Sequence, residues 1–157
     1  MSFVGISGNG QNIIKCSNNI IYYSINSGYS FTQSSQTFDA NLQIIAVSDN
    51  SYAVVCSLTK VYISSNNGGT WPLTWPFDIS SVCISSDGKY IFVATSNGIY
   101  RSVDYGSNFT QINNIVGTSI SCYNQYVLLC KNSGIYTSTD YGNTWNLNTM
   151  VPNKPCR

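Results

Sequence analysis

Few side chains in this chain are equipped for acid–base, nucleophilic or metal chemistry. Among 157 residues there is no His and no Glu; the six acidic residues are all Asp, and the two arginines are Arg101 and Arg157. The commonest general base and the commonest imidazole ligand for metals are therefore absent. What recurs instead is a set of small polar residues at fixed spacing. Ser24, Asn26, Gly28 and Phe31 return as Ser64, Asn66, Gly68 and Trp71, then as Ser102, Asp104, Gly106 and Phe109, and finally as Ser138, Asp140, Gly142 and Trp145. A box tyrosine (Tyr22, Tyr62, Tyr100, Tyr136) stands two residues before each serine, and the glycines are spaced 40, 38 and 36 residues apart. Such residues build turns. The Asp or Asn side chain accepts backbone amides further along the chain, the Ser hydroxyl bonds backbone locally, and Gly takes a left-handed conformation without a Cβ penalty.

A repeat of this length is one supersecondary unit that cannot bury its own apolar face. Each copy reads as four short strands separated by turns. In the second these are Leu42–Ser48, Tyr52–Ser57, Val61–Ser64 and Thr70–Thr74, and the fourth strand carries the box aromatic, which fills space between units. Tandem four-stranded units are the signature of propeller blades. The expected fold is thus all-β, a β-propeller of four four-stranded blades, closed as a small ring or forming part of a larger one. One domain over 1–149 divides at about 1–35, 36–76, 77–113 and 114–149, followed by a tail, 150–157.

The six cysteines, in register, argue against a disulfide framework. Counting back six from each box tyrosine gives Cys16, Cys56, Ala94 and Cys130, a column that takes a small apolar side chain. Gly5, Ala46, Cys83 and Ser119 read as a second small-residue column on the first strands, nearest the axis. Reduced thiols are the expectation, Cys156 in the tail being the exception with scope for exposure. No CxxC pair exists, so no metal or other cofactor is implied.

Ser138-Thr-Asp140-Tyr-Gly142-Asn-Thr-Trp145 resembles the Asp-box pattern, also called the bacterial neuraminidase repeat, and the segment beginning at Ser102 is a near match. The copies at Ser24 and Ser64 carry Asn where the pattern usually has Asp. The resemblance implies that each box lies on the hairpin between the third and fourth strands of a blade, for the sake of the fold. It also brings sialidases to mind. These resemble one another in holding a substrate carboxylate with three arginines and using a Tyr nucleophile paired with a Glu. Two arginines and no Glu cannot supply that set, so the expectation is a protein that is not an enzyme.

Charged residues make up 8% of the chain, against a usual value of about 25%. With a net charge of +1 there is no electrostatic footprint for nucleic acid. No apolar stretch reaches the roughly 20 residues of a membrane span, and the first residues lack the pattern of a signal peptide. Binding would fall on the connections between blades. Trp71-Pro-Leu-Thr-Trp75-Pro-Phe77-Asp78 packs three aromatics and two prolines into eight residues, so Trp75 and Phe77 either cover the end of the core or suit stacking on a sugar or anchoring a protein. Lys60, Asp39 and Asp78 are charged residues placed on the same side. The leading functional expectation is a non-catalytic structural or protein-interaction module of a larger assembly, with a protein partner or self-association. The Asn, Ile, Tyr and Ser richness fits an AT-rich genome and a virion or surface component. A glycan-binding lectin and a glycosidase remnant are the alternatives.

Overall fold

The computed structural model describes residues 2–38, 41–131 and 134–148. These form sixteen strands and no helix. Blade 1 comprises β1 (Ser2–Ile6), β2 (Ile13–Ser17), β3 (Ile20–Ser24) and β4 (Thr32–Gln33). Blade 2 comprises β5 (Ile44–Val47), β6 (Ala53–Cys56), β7 (Lys60–Ser64) and β8 (Leu73–Pro76). Blade 3 holds β9 (Ile79–Ile84), β10 (Ile91–Thr95), β11 (Gly98–Ser102) and β12 (Thr110–Asn113), and blade 4 holds β13 (Ser119–Tyr123), β14 (Tyr126–Lys131), β15 (Gly134–Ser138) and β16 (Asn146–Asn148). Every blade is an antiparallel meander whose strands pair in chain order. The fold class read from the repeat is the one observed.

The core lies between blades. Ile14, Cys16 and Ile21 of blade 1 pack with Ala53, Val55, Tyr62 and Trp71 of blade 2. Val54, Cys56, Val61 and Ile63 of blade 2 pack with Val82, Ile84, Ile91 and Val93 of blade 3. Phe92, Ala94 and Ile99 then meet Ile120, Val127 and Leu129 of blade 4. A strand covered on both faces need not alternate. Accordingly β6 and β10 are buried along their whole lengths, whereas β2 and β14, in the end blades, alternate buried and exposed positions. Stacked tyrosines add to two junctions: Tyr52 lies 4.7 Å from Tyr105, and Tyr90 lies 4.1 Å from Tyr141, centroid to centroid.

The first strands pack consecutively, β1 on β5, β5 on β9 and β9 on β13; among the described residues no comparable packing joins β13 back to β1. Room at this inner position is scarce. A Cβ on Gly5 would come within 2.6 Å of Ile45 Cγ2. With no further blade beside them among the described residues, the two end blades show apolar side chains: Val4 is 71% and Ile6 60% exposed on blade 1, and Leu128 is 51% exposed on blade 4.

Three sequence expectations need correction. Cys83 pairs with Phe92 and Ser81 with Ala94, whereas Ser119 pairs with Cys130. The small-residue column is therefore Gly5, Ala46, Cys83 and Ser121, two residues from the expected Ser119. The cause is a shorter hairpin. Blade 4 turns through Asn124 and Gln125 alone, Tyr123 pairing Tyr126, while Ser7, Ser48 and Ser85 close longer turns by accepting an amide from Asn12, Tyr52 and Tyr90. Second, the fourth strand of blade 2 runs Leu73–Pro76, so Trp75 sits in the ladder opposite Val61, and each box aromatic precedes its outgoing strand. Third, reduced thiols hold for Cys16, Cys56, Cys83 and Cys122, but Cys130 is disulfide-bonded.

Candidate functional site

The four boxes are built alike. In each, the serine Oγ donates to the Asn or Asp Oδ1, at 2.8 Å in Ser24–Asn26, 2.9 Å in Ser64–Asn66, and 2.8 Å in both Ser102–Asp104 and Ser138–Asp140. The same Oγ accepts the amide of the box glycine, at 2.8 Å from Gly106 and Gly142 and 2.9 Å from Gly28 and Gly68. The Oδ1 in turn accepts the amide four residues on, from Ser30, Thr70, Asn108 and Thr144. Two successive left-handed residues make this geometry possible, Tyr141 at φ 59° and Gly142 at φ 80° in the fourth box. The box serines are buried, so these bonds satisfy polar groups that water cannot reach.

Asn and Asp are interchangeable here because the residue four on adapts. Asn66 Nδ2 donates to Thr70 Oγ1 at 3.0 Å, whereas Thr144 Oγ1 donates to Asp140 Oδ2 at 2.6 Å. Hydrogen bonds from the Thr144 hydroxyl and amide, then from Ser138, lower the Asp140 carboxyl to about 2. Asp104 is lowered in the same sense, chiefly by the side-chain amide of Asn108. Both carboxylates are thereby held ionised and engaged in turn structure.

The remaining described carboxylates follow suit, with one exception. Asp49 Oδ1 accepts the Asn9 amide at 2.8 Å, linking blades 1 and 2, and Asp87 accepts Ser85 Oγ and the Lys89 amide within its hairpin. Asp78 is exposed. Arg101 reaches across a junction: its Nη1 donates to Tyr141 O at 2.6 Å and to Asn143 Oδ1 at 2.8 Å, strapping blade 3 to the fourth box. That contact explains why an arginine stands where the other blades have Tyr23, Ile63 and Thr137.

The aromatic segment is spent largely on packing. Trp75 Nε1 donates to Gly106 O at 2.9 Å, and its ring meets Phe109 edge-on at 5.5 Å. Phe77 lies 4.9 Å from Tyr100 and 5.4 Å from Phe109. Both rings thus pack in the junction between blades 2 and 3, as the core-covering reading of this segment expects. Lys60 and Asp78 are exposed beside them, and Asp39 lies outside the described residues. No cluster of three or more His, Cys, Asp or Glu suited to a metal occurs among the described residues.

Residues 99–112, which hold the third box, match the BNR-Asp box repeat. The third box is thus similar to that repeat. No curated protein matches it in sequence. Among solved structures it resembles a GH74 enzyme of Niastella koreensis (TM-score 0.70, 19% identity), covering 92% of this chain and 23% of that one. An ancestral GH74 enzyme gives 0.65 and 20%, with 91% and 23% covered. The GH74 xyloglucanase of Xanthomonas campestris gives 0.71 and 13%, with 95% and 30% covered. At these identities the likeness establishes the fold alone, and the chain spans less than a third of the length of each of these proteins.

Proposed function

We propose that this Asp-box chain is a non-catalytic structural or protein-interaction module whose four blades form part of a larger assembly. The observation that carries this reading is the exposure, among the described residues, of Val4 and Ile6 on blade 1 and Leu128 on blade 4, in positions that every internal junction covers. Exposed contiguous apolar surface of this kind marks an interaction site. The chemistry of the carboxylates supports the non-catalytic part. Most glycoside hydrolases use two carboxyl groups facing each other across a sugar, and four of the five described aspartates are bonded into turns or across a blade junction.

The likeness to GH74 enzymes supports a second reading, a glycosidase remnant. Hydrolysis assays on xyloglucan and on sialylated substrates separate the two. The structural reading requires no turnover with either, and turnover that disappears in Asp78→Asn would overturn it. A glycan array provides the corresponding test of a lectin, which would bind through Trp75 and Phe77.

A further inference from the structure

The three junctions inside the chain repeat one contact at the inner edge of the blades. The small-column residue of each first strand faces the residues before and after the column in the next blade. For Gly5 these are Ile45 and Val47: a Cβ there would lie 2.6 Å from Ile45 Cγ2 and 3.0 Å from Val47 Cγ2. Ala46 packs in one cluster with Val82 and Ile84, and Cys83 in one cluster with Ile120 and Cys122. The residue after the column is thus Val47, Ile84 and Cys122 in turn, and of the three contacts the last alone places sulfur on both sides. The register agrees. Neighbouring first strands run the same way, since Asn9 meets Asp49 as Gly5 meets Ile45. Ser81 Oγ donates to Ile120 O at 3.4 Å across the junction of blades 3 and 4, and two residues further along each strand stand Cys83 and Cys122.

We propose that Cys83 and Cys122 are a covalent modification site, a dithiol that a low-molecular-weight disulfide oxidises to a bond stapling blade 3 to blade 4. Both are reduced, and their thiols lie within hydrogen-bond reach of each other. The Cα atoms of β9 and β13 come within 8 Å of one another, close to the separation of up to about 7 Å that a disulfide bridges. A cysteine that merely fills a small apolar space needs no second sulfur beside it. Cys16 and Cys56 fit that description, each being the one cysteine in its cluster. Cys83 does not.

The two thiols divide the reaction between them by access. Cys122 is half-buried, whereas Cys83 is 8% exposed, so Cys122 reacts first. Its thiolate attacks the external disulfide, one half of the oxidant leaves as thiolate, and a mixed disulfide stays on Cys122. Burial, and after it the neighbouring Cys122 thiol, hold the Cys83 thiol well above the ordinary thiol range, so Cys83 is a poor nucleophile toward a reagent in solution. Forming the mixed disulfide removes the second of these causes, and proximity offsets the first. Cys83 gives its proton to the departed thiolate and attacks Cys122 Sγ, expelling the other half of the oxidant. In all, two electrons and two protons pass from the pair to the oxidant, which ends as two thiols. Cys83 and Cys122 are 39 residues apart. The new bond closes a loop that contains β10, β11 and β12, and the inner edge of the junction can no longer part.

Incubating the native full chain with oxidised glutathione tests this. Remaining thiols are then blocked with N-ethylmaleimide. Chymotrypsin, cutting after Tyr123 and Tyr126, separates Cys122 from Cys130 for mass spectrometry. The expected product is a Cys83–Cys122 link within one chain, with no glutathione on Cys83 at any stage, and a melting temperature raised by roughly 4–16 °C. Cys122→Val, which copies Val47, is expected to abolish both the link and the shift. Cys83→Ala, which copies Ala46, is expected to stop at glutathione on Cys122; both variants keep the parent circular dichroism spectrum. A native chain whose Cys83 and Cys122 both stay open to alkylation overturns the proposal. So does a glutathione adduct that persists on Cys122 of the parent as it does in Cys83→Ala, a link from Cys122 to Cys130 or to another chain, or a Cys83–Cys122 link that forms only in urea.

Discussion

Replacing Gly142 by Ala separates two demands that the box places on its glycine. The first is backbone conformation. At φ 80° an alanine costs about 1–2 kcal/mol, offset by about 0.4–1 kcal/mol because the unfolded chain loses freedom as well. The second is space. The new Cβ would lie 2.9 Å from Ile112 Cδ1 and 3.1 Å from Phe92 Cε1, inside the ~3.5–4.0 Å at which carbons attract. Phe92 is 0% exposed and has nowhere to move, so overpacking adds about 1–3 kcal/mol. Gly10 isolates the first demand, since its φ is 75° and a Cβ there meets nothing within 4 Å. Gly10→Ala should therefore cost about 0–1.6 kcal/mol, and Gly142→Ala about 1–3 kcal/mol more. For a chain of this size that difference is roughly 2–12 °C in melting temperature. Thermal and urea unfolding followed by tryptophan fluorescence measures both variants. Equal losses would refute the claim that the box glycine is packed against the preceding blade.

The Asp140 carboxyl sits below its unfolded value, so its stabilisation is present above about pH 4 and disappears as pH falls to about 2; Asp140→Asn should melt like the parent at neutral pH, because Thr144 Oγ1 can accept as Thr70 does, and should lose less stability in acid. An unchanged acid profile in that variant would count against the carboxylate. Arg101→Met removes the donors to Tyr141 O and Asn143 Oδ1 and is expected to cost about 1.5–3 kcal/mol, with amide exchange rising first in blade 4; uniform acceleration across all blades would contradict the strap. Burial raises the thiols of Cys16, Cys56 and Cys83, so an aromatic disulfide reagent at pH 8 should modify these three only on unfolding, and rapid labelling of any of them in the native protein, located by mass spectrometry, would show the junctions to be open.

The boxes were legible in the sequence because all their hydrogen bonds are local. Ser138, Asp140, Gly142 and Thr144 bond one another within seven residues, and such a motif needs no distant partner to announce itself. The cysteine column was legible for a related reason: Cys16, Cys56, Ala94 and Cys130 keep a fixed distance from a box that fixes the register. Blade 4 was misread at β13 because Ser119-Ile-Ser121 offers the same Ser in either register, and the two-residue hairpin at Asn124 decides between them only once Tyr123 pairs with Tyr126. Trp75 and Phe77 left two readings open, a cover for the core or a stacking surface, because their partners, Gly106 O, Tyr100 and Phe109, are remote in the chain. Cys130 shows the limit most plainly. Its place in the column is the same as that of Cys16 and Cys56, yet those two are buried thiols and Cys130 is half-exposed and oxidised. The difference lies in what packs beyond it, because a residue on a sheet face is buried by the next sheet, and no described blade follows the fourth.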